Sequence, residues 1–150
     1  MKKFKLIPIL TLVFIASVLT MCSKDDKTTA PGITAAQVNT NIVAGNWSVT
    51  LYNENGTIHT SDFSGYSFVF NTGGALVATN SPTIKEGTWS SGTDSGSVKI
   101  TIDFTATETT GSFESISDDW MVLTSTATKT ELKHVSGDDG SIDLLTFEKI

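Results

Sequence analysis

From residue 96 the chain runs Gly-Ser-Val-Lys-Ile-Thr-Ile-Asp-Phe-Thr, so that Val98, Ile100, Ile102 and Phe104 alternate with Lys99, Thr101 and Asp103. A period of two places alternate side chains on opposite faces of an extended strand, one face buried and one in water. Trp47, Val49 and Leu51 alternate in the same way with Ser48, Thr50 and Tyr52, and Tyr66, Phe68 and Phe70 repeat the pattern. These stretches read as half-buried antiparallel strands. Turn residues interrupt them at short intervals: Asn55-Gly56, Asn71-Thr72-Gly73-Gly74, Ser81-Pro82, Ser91-Gly92 and Gly137-Asp138-Asp139-Gly140. The pattern predicts eight strands, over 46–54, 65–71, 74–79, 84–90, 96–105, 118–125, 128–136 and 141–149. No segment after Ile42 carries a helical period longer than a turn, and a single helical turn is expected near Thr34 to Val38. Short strands joined in sequence order, the last able to reach the first, predict an all-β fold: an eight-stranded antiparallel up-and-down barrel, which removes open sheet edges. A two-sheet β-sandwich is the alternative.

Ahead of the strands the pattern changes. Lys2, Lys3 and Lys5 precede an almost uncharged apolar run from Leu6 to Leu19, the layout of an export signal that is removed from the mature chain. From Ser23 to about Asn41 the residues are mainly Lys, Asp, Thr, Ala, Pro and Gly with no apolar period, the composition of a flexible spacer. The expected organisation is therefore a signal peptide over 1–21, a tether over 22–41 and one β domain over 42–150, a length that suits a single modest domain. The only cysteine, Cys22, stands at the junction of greasy and charged sequence, with no second cysteine to pair with.

Leu19, Thr20, Met21 and Cys22 resemble a bacterial lipobox. The resemblance implies cleavage before Cys22 and acyl chains, palmitate among them, on that residue. Several chains on one residue give stable anchoring, because each buried methylene contributes about 0.8 kcal/mol and one chain alone binds only marginally. Lys24, Asp25 and Asp26 resemble the export signal behind the lipidated cysteine of Bacteroidetes surface lipoproteins, which implies an outer-membrane, cell-surface location; the periplasmic face is the alternative. In the domain, Gly45-Asn46-Trp47, Tyr66-x-Phe68-x-Phe70-Asn71-x-Gly73-Gly74, Gly87-Thr88-Trp89, Trp120-x-Val122-Leu123-Thr124 and Leu145-Thr146-Phe147-Glu148-Lys149 follow the order of landmarks in the lipocalin-like domains of Bacteroidetes lipoproteins. That family implies a barrel able to hold a small molecule. The domain is shorter than a typical lipocalin, and its sequence shows no clear N-terminal or C-terminal helix packed on the barrel.

Charge narrows the list of partners. The formal net charge is −6, and removal of residues 1–21 takes away three lysines and no acid, leaving 129 residues at −9. All ten basic residues are lysine. An acidic chain without arginine repels phosphate backbones and lacks the side chain that most often reads bases, so no nucleic-acid partner is expected. Membrane contact is expected through the lipid on Cys22 alone.

No catalytic residue, metal ligand or cofactor is expected. His59 and His134 lie near no recognisable nucleophile motif, and Asp118-Asp119 and Asp138-Asp139 lack the spaced ligands of a calcium loop. Trp47, Phe68, Phe70, Trp89, Phe104, Trp120 and Phe147 supply bulk to an interior that, at eight strands, either fills with side chains or leaves room for one ligand. Tyr66 and Trp120, each a ring with a polar handle, are the candidate pocket walls. Two function classes follow: a non-catalytic binding module for a small apolar or amphipathic molecule, or an envelope lipoprotein with a filled barrel that interacts with another envelope protein. A mostly packed barrel with a shallow pocket at one end is expected.

Overall fold

A computed structural model describes residues 32–137 and 140–150. The export segment, Cys22, Lys24, Asp25, Asp26, most of the tether and the Asp138-Asp139 tip lie outside the described residues. Helix α1 (Ala35–Ile42) leads into strands β1 (Trp47–Glu54), β2 (Thr57–Ile58), β3 (Ser67–Phe70), β4 (Ala75–Asn80), β5 (Thr83–Asp94), β6 (Ser97–Asp103), β7 (Asp119–Ser125), β8 (Lys129–Val135) and β9 (Ile142–Lys149). A 3-10 turn (Thr60–Phe63) precedes β3, and a one-turn helix α2 (Ser112–Ser115) lies between β6 and β7.

Every pairing between these strands is antiparallel, and β1 and β3 to β9 follow one another in sequence order. The last strand returns to the first, from Trp47 opposite Lys149 to Asn53 opposite Leu144, and closes a ring of eight. The expected up-and-down barrel forms, not the sandwich. Two-residue β2 folds back on the far end of β1, so β1 meets β3 only where Trp47 faces Phe68. The eight expected strands all appear, most within two residues of their expected ends. The exception is β5, which runs on through Ser91-Gly92 to Asp94, because the turn chemistry there is at Ser95-Gly96, where both residues have positive φ.

Packed aromatic side chains occupy the barrel interior. All seven rings expected to supply its bulk are buried, the most exposed, Trp89, at 7%. Phe68 and Phe70 meet Phe147 edge-on at 5.3 Å, and Phe70 meets Trp89 at 5.6 Å, the offset geometry that aromatic pairs favour.

Each end carries a plug. Where β1 begins and β7 ends, α1 buries Val38 and Ile42 against the core, while Asn41 donates from Nδ2 to the Ser125 carbonyl at 3.2 Å. At the opposite end, Phe63 of the 3-10 turn and Phe113 of α2 pack ring to ring at 5.4 Å over Phe68 and Phe104. The helix is longer and better fixed than the single turn expected in the spacer. Thr34 begins it with a capping box: its hydroxyl accepts from the Gln37 amide, and the Gln37 side chain accepts in return from the Thr34 amide. With only Val38 and Ile42 apolar and buried, one turn apart, the helix shows too little of a period to be seen in the sequence.

Candidate functional site

Tyr66 and Trp120 are held apart by the fold. Trp120 points inward from β7, 1% exposed, and its indole N–H donates to the Ile116 carbonyl at 2.9 Å. Tyr66 is half-buried just before β3, its ring edge-on to Phe113 at 5.0 Å. It lines a hollow of about 340 Å³ on the seam between β1 and β3, together with Ser48, Thr60, Gly65 and Ile150. Trp120 belongs to the interior and not to that hollow.

Both histidines sit among carboxylates at the end of the barrel closed by α2. His134 Nδ1 lies 3.5 Å from Asp118 Oδ2 and 3.5 Å from Asp143 Oδ2, while the Asp143 Oδ1 accepts from the Asn55 amide at 2.8 Å. His59 stands between Glu54 at 3.8 Å and Asp62 at 3.5 Å. Acids facing an imidazole orient it, whereas general-base work needs the substrate or nucleophile hydroxyl within hydrogen-bond reach. Among the described residues no group of three or more His, Cys, Asp or Glu could hold a metal ion. Nearby, burial pushes the Tyr52 hydroxyl well above the usual tyrosine range, helped by the negative charges of Glu54 and Asp143. Tyr52 therefore stays protonated and donates to the Ser115 carbonyl at 3.3 Å.

Outside the barrel the surface is hollowed along a continuous line. A hollow of about 520 Å³ lies between α1, the β3–β4 turn and β5, and its lining includes Asn39, Gly73, Trp89, Ser90 and Ser91. A second, of about 230 Å³, shares Ser90 and Ser91 with it and continues to Asp94, Lys99, Thr101 and Asp119. A third, of about 470 Å³, shares Asp94, Lys99 and Asp119 and extends over Met121 to Lys133 and His134. Together they form one trough that starts beside α1 and crosses the outer face of β5 to β8.

Strand register explains the polarity of this trough. Trp89 opposite Ile102 and Ser91 opposite Ile100 turn toward the buried side, so Ser90 opposite Thr101 and Gly92 opposite Lys99 turn outward. Two contacts order its floor: Lys99 Nζ lies 2.9 Å from Asp94 Oδ2, and the Thr101 hydroxyl donates to Asp119 Oδ1 at 2.6 Å. The Lys99 contact holds the exposed Asp94 carboxyl below the usual carboxylate range, and Asp94 raises Lys99 in turn. Ser90, Asp94 and Lys99 carry no motif that marks them in the sequence, and Asp119 stands out there only in an acidic pair without the ligand spacing of a calcium loop.

No family model and no curated protein matches the chain. Among solved structures, the crystal structure of a lipocalin-like protein from Bacteroides uniformis is similar, with a TM-score of 0.42 and 13% identity over 72% of this chain and 98% of that one. The assignment of a closed eight-stranded barrel rests on the strand pairing itself.

Proposed function

We propose that this chain is a non-catalytic binding module of the bacterial envelope, tethered by lipid on Cys22 and acting through the outside of a filled barrel. One observation carries the reading: the rings from Trp47 to Phe147 occupy the interior while α1 and α2 close its ends. An apolar molecule inside would have to displace packed side chains, at a cost of the order of the several kcal/mol that core rearrangements entail. The partner is instead an envelope component that meets the outer face. Lys24, Asp25 and Asp26, directly behind the anchor, support display on the outer surface of the outer membrane.

The anchor is tested in the native host. The full-length chain is expected in the membrane fraction with a mature N-terminus at acylated Cys22, and protease added to intact cells should remove the domain. Cys22→Ala should move most of the protein out of the membrane fraction. A variant that stays with the membrane in unchanged amount would refute the tether. Digestion only after the outer membrane is permeabilised would place the domain in the periplasm.

A further inference from the structure

Strand β5 contains two glycines that the fold treats differently. At Gly87 an added Cβ would stand 2.5 Å from the Asp103 carbonyl oxygen and 2.7 Å from the Phe104 ring, so packing requires bare backbone there. At Gly92 an added Cβ would meet nothing within 4 Å, and the backbone needs no left-handed conformation. A glycine inside a strand costs conformational entropy and leaves a pairing without a side chain. Among the described residues no atom accounts for that cost at Gly92. What the missing side chain does provide is a flat place on the outer surface, beside Lys99, where another molecule can approach the backbone closely.

Gly92 lines the middle hollow of the trough, which shares Ser90 and Ser91 with the hollow on one side and Asp94, Lys99 and Asp119 with the hollow on the other. From β5 to β8 the trough crosses three strand intervals, about 14 Å at ordinary strand spacing. Its floor is made of hydroxyls (Ser90, Thr101), carboxylates (Asp94, Asp119) and the Lys99 ammonium, already ordered by the two contacts described above. Asp119 has a second oxygen, Asp94 Oδ1 accepts from the Ser95 hydroxyl at 3.1 Å and keeps a further lone pair, and the ammonium has further N–H groups to offer. Apolar lining lies at the two ends, Val43 and Trp89 beside α1 and Met121 and Val135 at the other. A protein partner is usually met by a surface whose centre is depleted in charge and enriched in aromatics and arginine. The middle of this trough offers none of these.

We propose that the trough binds a linear polyhydroxylated chain, a glycan strand, laid across Gly92. Closely spaced hydroxyls both donate and accept, and so match a floor of alternating hydroxyl, carboxylate and ammonium groups. The proposal rests on the reading that the barrel acts through its outer face.

The test is affinity electrophoresis of the full-length chain in mild detergent, through gels containing dextran, laminarin, mannan or xylan. At least one polysaccharide should retard the protein, and Gly92→Val should weaken that binding about tenfold or more, a difference of roughly 1.4 kcal/mol. The variant should unfold at the same or a higher temperature, because valine favours strands and its side chain enters open space. Absence of retardation by all four polysaccharides would overturn the proposal, as would equal retardation of the variant. A lower unfolding temperature for Gly92→Val would show that the fold itself needs the glycine, with the same consequence. Binding of an oligolysine peptide without any polysaccharide retardation would assign the trough to a cationic polypeptide instead. Failure of any of these leaves the filled interior intact, since extraction of bound lipid measures that separately.

Discussion

Thr130 shows at the scale of a single residue how far the interior is committed to packing. It points inward from β8 opposite Phe147, fully buried, and its hydroxyl has no hydrogen-bond partner among the described residues. A buried polar group left without a partner costs about 1–3 kcal/mol. Thr130→Val keeps the shape and removes the orphan, so it is expected to stabilise the protein by about 1 kcal/mol in chemical denaturation. A loss of stability would show that the hydroxyl is in fact hydrogen-bonded, for instance to a buried water. Single residues also mark where the sequence stops being informative. Val98, Ile100, Ile102 and Phe104 announce their burial by alternation, and all four are buried. Tyr66 and Trp120 look alike as letters, yet one lies on the outer seam and the other in the core, because that difference depends on which loop folds over each ring. Gly87 and Gly92 are equally indistinguishable until the Phe104 ring is placed beside one of them.

At the scale of elements, the two plugs are fixed by the same device. The last carbonyls of a helix have no partner within it. The Trp47 indole donates to the carbonyl of Ile42, the final residue of α1, at 2.7 Å, and the Trp120 indole donates to that of Ile116, which caps α2, at 2.9 Å. Two of the three tryptophans thus tie a plug to the barrel as well as filling it. Trp47→Phe keeps a large ring but removes the donor. Amide exchange in α1 is then expected to accelerate while β8 and β9 keep their protection, since a helix this short depends on tertiary contacts. If α1 and the strands accelerated together, the indole would be acting as core bulk and not as a tie. The strands were legible because their period is simple and repeated; α1 was not, because its burial rests on two residues and its stability on contacts remote in sequence, such as Asn41 with Ser125.

At the scale of the whole molecule, closure of the barrel follows from pairing that joins the two ends of the domain, with β1 against β9 over six residue pairs. A small interior bounded by eight strands, supplied with this many rings and closed by two plugs, leaves its outer surface to meet a partner. The acidic balance and the trough of hydroxyls, carboxylates and lysine are properties of that surface. The measurement that tests this account most directly is the mass of the protein purified from its own host, by native mass spectrometry combined with solvent extraction of bound lipid. Apart from the acyl chains proposed for Cys22, a chain without stoichiometric apolar ligand is expected. One molecule of lipid or another apolar compound per chain, retained when Cys22 is replaced by alanine, would contradict the filled barrel and show that the interior opens to carry it.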